Sequence, residues 1–275
     1  MKIYIVGDGF LGGHLTKFYA DKEETRISPA FVPNAVSPWI DYIISDIEKF
    51  CPDIVLVPAA AQDTGDTQAA IESLIVSNCV LPCRIASLLS DKFPAAMMAV
   101  FGTSWQFADS DIYRPFNLYA ASKRAGQDLL THYALRGLRI MQFILFDTYG
   151  EDDTRKKLFN ILVAAANANA PIDVTPGDQE IDLVHIDDVC QGVDAGLREL
   201  RRWKPCKGLL IRSLGSHRPI PVKELVRRLE RKLQKPIQAN FGKRDYRPRE
   251  VMETCRSIPR VLGWDISHNE FSVEQ

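Results

Sequence analysis

Three glycines near the start of the chain place the tightest constraint on its fold. The motif Gly7-x-Gly9-x-x-Gly12 follows directly on the apolar run 3–6 and opens a segment of helical period. Gly7 allows a tight turn, Gly9 lets a ligand approach the backbone, and Gly12 lets a helix pack closely on a strand. The motif therefore predicts a strand, a sharp turn and a helix whose N-terminus can receive an anionic group.

The rest of the chain alternates in the same way between short apolar runs and longer segments of helical period. Further strand-like runs are Ile54-Val57, Met97-Phe101 and Leu138-Phe146, and the helical segments that follow them are 67–89, 118–133 and 157–168. Such alternation is typical of parallel strands joined by crossover helices. We therefore expect an α/β fold with a doubly wound parallel sheet, the Rossmann architecture.

The sequence changes character after Gly150. From there it is more polar and richer in proline, with a helical segment at Val222-Leu233 and a basic stretch at Lys243-Arg249. We predict a dinucleotide-binding core in residues 1–150, to which part of 178–200 returns. Residues 151–275 would mainly form a small C-terminal substrate-binding lobe.

Charge and composition narrow the classes of partner. The 275 residues carry 34 basic and 35 acidic side chains, a net charge of −1, which predicts no binding to nucleic acid or to an anionic membrane. The apolar runs are short, and the N-terminus enters a strand at once, so we expect a cytoplasmic protein. The six cysteines form no CxxC pair, which favours reduced thiols and no metal site.

The segment after the expected second strand bears on the choice of cofactor. No acidic residue stands where one would hold the ribose hydroxyls of NAD(H). Arg26 and Ser28 instead offer a guanidinium and a hydroxyl to a 2′-phosphate, which favours NADP(H). The alternative is that Arg26 is an ordinary solvated arginine.

Two further segments are candidates for cofactor contact. Asp46 and Ile47 follow the strand-like run Tyr42-Ser45 and are expected to contact the adenine. Ala59 and Ala60 have small side chains at the carboxyl end of a strand, where a cofactor would pass closely. Both segments can also be read as ordinary loop and packing residues.

The catalytic prediction begins with Tyr119 and Lys123. Four residues apart, they lie on one face of the predicted helix 118–133. A nearby cation favours the ionised phenol and would lower its pKa toward the working range. Ser104 follows the run Met97-Phe101, where doubly wound folds place their ligands, and its hydroxyl could polarise a carbonyl group.

These motifs, in this order, resemble the extended short-chain dehydrogenase/reductase (NAD-dependent epimerase/dehydratase) family. The resemblance extends to the turn Phe146-Gly150 and to the segment Asp182-Val189. The sequence is most similar to nucleotide-sugar 4-ketoreductases of the abequose and paratose synthase type. The resemblance implies a nucleotide-sugar substrate and a homodimer paired through the helices near Asn78 and Tyr119.

The resemblance also assigns roles to individual residues. The cofactor-binding set gains Phe10, Leu11, Asn78, Tyr119, Lys123 and Phe146. The substrate-binding set comprises Ser104, Trp105, Gln106, Asp147, Lys157 and Arg247.

Departures from the family pattern limit the chemistry. Trp105 and Gln106 stand where dehydratases of the family have an acid and a base, so we expect no elimination of water. Ile181 stands where many relatives have an arginine, so the phosphate contacts must be partly different.

We expect reduction of a 4-keto group on a nucleotide-linked 6-deoxysugar, with Tyr119 as proton donor, Lys123 tuning its pKa and Ser104 polarising the carbonyl. One alternative is an epimerase that holds NAD tightly and uses the same three residues. Another is a dinucleotide-sensing protein without turnover.

Overall fold

The computed structural model describes residues 1–29, 36–108, 112–204, 208–268 and 271. Its strands are β1 (Lys2–Ile5), β2 (Glu24–Ile27), β3 (Ile54–Val57), β4 (Met97–Thr103), β5 (Arg139–Leu145), β6 (Asp147–Tyr149), β7 (Ile172–Val174), β8 (Glu180–Ile181), β9 (Leu183–His185), β10 (Leu210–Leu214), β11 (Ile220–Pro221) and β12 (Ala239–Phe241). Its α-helices are α1 (Phe10–Tyr19), α2 (Val36–Phe50), α3 (Gln68–Ile75), α4 (Leu81–Lys92), α5 (Leu118–Leu135), α6 (Leu158–Ala168), α7 (Ile186–Arg202) and α8 (Val222–Leu233).

Six of the strands form one parallel sheet, in the order β10-β5-β4-β3-β1-β2. The strand order reverses between β1 and β3, so the connections leaving these two strands run to opposite sides. Ligands of doubly wound sheets bind in the crevice that such a reversal opens beyond the carboxyl ends of the strands. Gly7 and Ala59 lie just past those ends. The predicted fold class is confirmed.

Helices cover both faces of the sheet. On one face, α1 and α7 bury Leu15 and Val193 against β1, β3, β4 and β5. On the other, α2, α4 and α5 bury Ile43, Ile85 and Leu130 against the alternate side chains of the same strands. Strands buried on both faces explain the near-continuous apolar runs in the sequence.

A separate group of buried side chains lies between α6 and α8. It includes Tyr149, Phe159, Leu162, Leu225 and Leu229. Short strand pairs, β8 with β11 and β7 with β12, belong to the same part of the chain. The functional division at residue 150 stays a prediction, but α7 packs on the main sheet and β10 joins it, so the returning segment extends past residue 200.

One expectation about local structure needs correction. The run Tyr42-Ser45 is not a strand; it lies inside α2, where Trp39, Ile43 and Ile47 recur at helical spacing and face the core. A short apolar run does not by itself separate a strand from a buried helix. Of the cysteines, Cys51, Cys79, Cys83, Cys190 and Cys255 are free thiols, and Cys206 lies outside the described residues.

A continuous helical run links α3 and α4 through a π-helical turn, Val76–Val80. By length and composition alone this run, Gln68–Lys92, is apolar enough to span a bilayer, although half of its most apolar window is buried inside the fold. Buried core helices pass the same test. The sequence prediction that apolar stretches stay short therefore does not hold for this helix.

Candidate active site

The glycine loop between β1 and α1 has the geometry of a pyrophosphate cradle. Gly7 adopts a φ of +95°, which L-residues with a side chain rarely adopt. A Cβ on Gly12 would lie 1.9 Å from the Gly7 carbonyl oxygen, whereas a Cβ on Gly9 would meet no atom within 4 Å. Gly9 is the N-cap of α1 and provides no side-chain cap, so the first N–H groups of this helix face an open surface.

Residues Phe10 and Leu11 continue this loop into α1. The Arg155 guanidinium lies over the Phe10 ring, 4.0 Å from its centroid. Asp153 and the Thr148 carbonyl oxygen accept hydrogen bonds from the same guanidinium. Arg155 therefore joins the turn after β6 to the glycine loop, a contact that the sequence reasoning did not assign.

Arg26 and Asp46, predicted as separate cofactor contacts, bind each other. Their side chains form an ion pair of 2.9 Å, and Tyr4 Oη donates a hydrogen bond to the same carboxylate at 2.9 Å. The Arg26 guanidinium also lies 4.7 Å from the centroid of the Phe50 ring. This guanidinium therefore links β2 to α2 through Nη1, while its side chain stays 45% exposed.

Ser28 supports the glycine loop from the side. Its hydroxyl accepts a hydrogen bond of 2.9 Å from the Gly7 N–H, and the side chain is buried. This hydroxyl also donates to the Pro29 carbonyl oxygen. Of the two residues that favoured NADP(H) from sequence, Ser28 has its hydroxyl engaged on the glycine loop, and Arg26 uses Nη1 to bind Asp46.

Two other predicted cofactor residues turn their side chains into the interior. Ile47 is fully buried in the core on α2, and its adenine contact stays a prediction. Phe146 is buried against Cys255, Ile258 and the His217 ring.

The loop after β3 runs beside the glycine turn. The Ala59 N–H donates to the Val6 carbonyl oxygen, and a Cβ on Gly7 would lie 2.9 Å from the Ala59 Cβ. Ala60 leads to Ala61, whose N–H donates to the Ser77 hydroxyl. The small side chain at 59 fits here because the two loops approach so closely.

Asn78 joins this loop to α5 from within the π-helical turn. Its Nδ2 donates to the Ser122 hydroxyl at 2.9 Å and to the Ala61 carbonyl oxygen at 3.4 Å. A Cβ on Gly126 would lie only 2.1 Å from the Asn78 carbonyl oxygen. The turn and the helix are therefore in close backbone contact beside Lys123.

Ser104 opens a short 3-10 turn, Ser104–Gln106, at the carboxyl end of β4. The chain entering α5 is hydrogen-bonded to this turn, because the N–H groups of Arg114 and Phe116 donate to the carbonyl oxygens of Gln106 and Trp105. Asn117 then caps α5 by accepting from the Ala120 N–H. These bonds place Tyr119, in the first turn of α5, beside the turn that carries Ser104.

Burial dominates the electrostatics of the Tyr119 and Lys123 pair. It raises the pKa of the Tyr119 phenol to about 12. It lowers the pKa of Lys123 to about 8, with a small opposing effect from the Cys79 thiol. The Lys123 Nζ lies 5.9 Å from the centroid of the Tyr119 ring. Desolvation disfavours the charged form of each group, which raises the pKa of the phenol and lowers that of the amine. The expected lowering of the phenol pKa by Lys123 stays a prediction.

Four residues form a wall beside Ser104. The rings of Trp105 and Phe116 pack edge to face, with centroids 5.2 Å apart. The Lys157 Nζ lies 5.8 Å from the centroid of the Trp105 ring and 3.5 Å from Asp147 Oδ1. The structure thus brings together three of the predicted substrate residues, Trp105, Asp147 and Lys157.

The structure places the other two residues of the predicted substrate set, Gln106 and Arg247, differently. Gln106 is completely buried, and its contact with substrate stays a prediction. Arg247 is exposed, with its backbone bound to Glu250. The basic segment reaches the loop that leads into α5 through Arg249, whose guanidinium donates to the Pro115 carbonyl oxygen at 2.7 Å. Sequence reasoning named Arg249 only as part of a basic stretch.

A histidine pair lies where α7 begins. The rings of His185 and His268 stack with centroids 4.1 Å apart, and Asp187 completes a group whose ligand atoms lie within 4.8 Å of one another. The His268 Nδ1 is 3.1 Å from the buried Asp188 carboxylate. The stacked pair and the His268 contact with Asp188 tie the C-terminal segment to α7. The prediction of no metal site stays a prediction.

A family model for the NAD dependent epimerase/dehydratase family matches residues 3–206. The chain belongs to this family. The matched residues include the glycine loop, the Ser104 turn and the first turns of α5, which are the parts of the site described above.

Curated relatives in the family act on nucleotide sugars. A CDP-abequose synthase from Yersinia pseudotuberculosis is 26% identical over 206 residues, which are 70% of this chain and 72% of that protein. UDP-glucuronate 4-epimerase 4 from Arabidopsis thaliana is 28% identical over 166 residues, 54% of this chain and 38% of the epimerase. This chain therefore matches well under half the length of the plant enzyme.

Solved structures of the family share the fold. UDP-glucuronic acid 4-epimerase from Bacillus cereus, in complex with UDP-glucuronic acid and NAD, covers 97% of this chain with a TM-score of 0.79 at 18% identity. The match takes in 94% of that epimerase. A Brucella ovis UDP-glucose 4-epimerase in complex with NAD gives the same TM-score at 17% identity, again covering 97% of this chain and 94% of its own. At these identities the likeness shows the fold alone.

Replacing Lys123 by methionine should stabilise this family member at neutral pH. Below pH 8 both the folded and unfolded states carry the protonated amine, so burial of the charge lowers the free energy of unfolding by a full penalty, on the order of 3 kcal/mol. Between about 8 and 10.5 only the unfolded state keeps the proton, and the penalty fades. The gain from Lys123→Met should be largest below pH 8 and shrink toward pH 10.5.

Urea unfolding at several pH values measures this gain. Lys232→Met, at an exposed position on α8, is the matched control and should change stability little at any pH. A Lys123→Met gain that is constant across the range, or a loss at pH 7, would show that the amine is not held as a desolvated charge.

Proposed function

We propose that this chain uses NADH to reduce a 4-keto group on a nucleotide-linked 6-deoxysugar. One observation supports the proposal above all: the helix that carries Tyr119 and Lys123 is hydrogen-bonded to the turn that carries Ser104. Burial also raises the pKa of the Tyr119 phenol, which favours its protonated form. Reduction of a ketone begins with a proton donor in its protonated form. Oxidation of an alcohol would instead begin with the phenolate.

In this reaction Tyr119, Ser104 and Lys123 each donate a proton or a hydrogen bond. Bound NADH supplies hydride to the carbonyl carbon. Tyr119 Oη gives its proton to the carbonyl oxygen, which becomes the hydroxyl of the product, and the tyrosine is left as phenolate. Ser104 donates a hydrogen bond to the same oxygen as charge develops on it. Lys123 stabilises the phenolate and takes part in restoring its proton, since its pKa of about 8 allows it to donate near neutral pH.

The glycine loop fits a dinucleotide. Gly9 leaves open space above the α1 N-terminus, and Gly7 and Ala59 allow the two loops to approach. We infer NADH rather than NADPH because Arg26 is paired with Asp46 and Ser28 holds the Gly7 N–H. The Bacillus cereus and Brucella ovis epimerases, which share the fold, are in complex with NAD.

The substrate class follows from the curated relative and the wall beside Ser104. The relative that this chain matches over 72% of its length is a CDP-abequose synthase. Trp105 offers an aromatic face to a sugar ring, and the Lys157 charge is compensated by Asp147 at 3.5 Å. This pairing suits an uncharged deoxysugar better than a uronic acid.

A nucleotide-sugar 4-epimerase is the second candidate. The similarity to UDP-glucuronate 4-epimerases favours it, and Ser104, Tyr119 and Lys123 can perform oxidation and re-reduction in turn. The two functions differ in how they treat the cofactor, because an epimerase regenerates NAD within each turnover and a reductase exchanges it.

The family resemblance and an exposed apolar face support a homodimer. Ile71 and Ile75 on α3 and Leu129 on α5 are exposed by two fifths or more. We infer that this face pairs with a second copy across α3, α4 and α5.

Tyr119→Phe should lower kcat by at least about 10²-fold, because the proton donor is removed while the ring is kept. The assay follows NADH oxidation with CDP- and dTDP-linked 4-keto-6-deoxyglucose as substrates. Tyr42→Phe, an exposed tyrosine on α2, is the matched control. If both variants turn over at the wild-type rate, the assignment of Tyr119 fails.

Denaturing extraction followed by mass spectrometry should find little nucleotide in the purified protein. Added NADH should raise the melting temperature more than NADPH does, because binding to the folded state alone stabilises it. Stoichiometric NAD released from the purified protein would instead identify the epimerase.

The dimer is tested by sedimentation velocity. Wild-type protein should sediment as a dimer, and Ile75→Arg should shift it to a monomer, because an arginine would be buried unpaired in the interface. Leu262→Arg, at an exposed site near the C-terminus, should leave the dimer intact. A wild-type monomer at micromolar concentration would rule out this interface.

A further inference from the structure

Three buried glutamines form a polar group beneath the active site. Gln106, on the Ser104 turn, is 0% exposed, Gln142, on β5, is 2% exposed, and Gln127, on α5, is 7% exposed. Burying an amide costs free energy unless it is hydrogen-bonded, and an apolar side chain of similar size would avoid that cost. A group of this kind therefore calls for a role other than filling space.

Both the oxygen and the nitrogen of the Gln106 amide form hydrogen bonds. Its Oε1 accepts a hydrogen bond of 3.0 Å from the Thr103 N–H, and its Nε2 donates to Gln127 Oε1 at 3.3 Å. The first bond holds the 3-10 turn that Ser104 opens. The second reaches α5 one helical turn beyond Lys123. One side chain thus connects the element that carries Ser104 to the helix that carries Tyr119 and Lys123.

Gly102 leaves the space for this connection. A Cβ at this position would lie 2.5 Å from Gln106 Oε1 and 2.6 Å from Gln142 Nε2. The glycine is on β4, where φ is that of an ordinary strand, so backbone strain does not require it. Its role is to leave room for the two amides on the side of the strand where a Cβ would stand.

We propose that Gln106 is a positioning residue that sets the separation between the Ser104 hydroxyl and the Tyr119 phenol through Gln127. The proposal rests on the proposed use of these two groups on one carbonyl oxygen. Displacements of about 1 Å between reacting groups can lower a rate about 10²-fold. Loss of the link should therefore reduce kcat, while the Trp105 and Lys157 wall continues to bind the substrate.

The test is a double-mutant cycle on the purified enzyme. Gln106→Met removes both hydrogen bonds and should lower kcat 10- to 100-fold with KM changed less than about threefold. Gln127→Met removes only the bond to α5 and should lower kcat by a smaller factor. The double variant should be no slower than Gln106→Met, because the two residues act through one bond.

A rescue variant separates positioning from general destabilisation. Gln106→Glu keeps an acceptor for the Thr103 N–H and, with the Gln127 amide turned over, an acceptor for its Nε2. It should recover most of the kcat that Gln106→Met loses. Gln238→Met, an exposed glutamine, is the matched control and should leave kcat unchanged. Wild-type kcat in Gln106→Met, or losses that simply multiply in the double variant, would overturn the proposal.

Hydrogen exchange of the peptide 101–108, measured by mass spectrometry, gives a readout that needs no turnover. Gln106→Met should speed exchange in this peptide, and the Gln238→Met control should not. If the wild-type enzyme reduces neither keto sugar but exchange responds as expected, the proposed function fails and the link stands. Unchanged exchange in Gln106→Met would refute the link whatever the activity.

Discussion

The close contact between α5 and the π-helical turn is the constraint on which the site depends. Gly126 lets the helix backbone approach the Asn78 carbonyl oxygen, where a Cβ would come within 2.1 Å. Asn78 Nδ2 and Cys79 Sγ then donate hydrogen bonds to the Ser122 hydroxyl and carbonyl oxygen. Because Lys123 is the next residue along the helix, this contact fixes how deeply its amine lies in the fold.

That depth sets the protonation of Tyr119 and Lys123. The same desolvation that lowers the pKa of Lys123 to about 8 raises that of Tyr119 to about 12. The phenol therefore holds its proton at neutral pH, and the amine can give one up. A protein that begins its reaction by donating a proton to a carbonyl gains from this arrangement.

Short-range patterns in the sequence predicted the parts of the structure that depend on neighbouring residues. The glycine loop and the Tyr119 and Lys123 spacing are of this kind, since strand, turn and helix follow one another along the chain. Pairings between distant segments were not predictable from such patterns. The fold brings Arg26 on β2 to Asp46 on α2, and it brings the buried Gln106 to Gln127 on α5. The helical spacing of Trp39, Ile43 and Ile47 was a readable signal that α2 is not a strand.

Transfer of deuterium from NADH to the sugar tests the proposed reduction most directly. The enzyme would be incubated with NADH carrying two deuterium atoms at C4 of its nicotinamide and with a nucleotide-linked 4-keto-6-deoxysugar. We expect one deuterium at C4 of the product sugar for each NADH oxidised, and none when Tyr119→Phe replaces the wild-type enzyme over the same time. Product formed without deuterium at C4, or NADH left unoxidised as product accumulates, would contradict it.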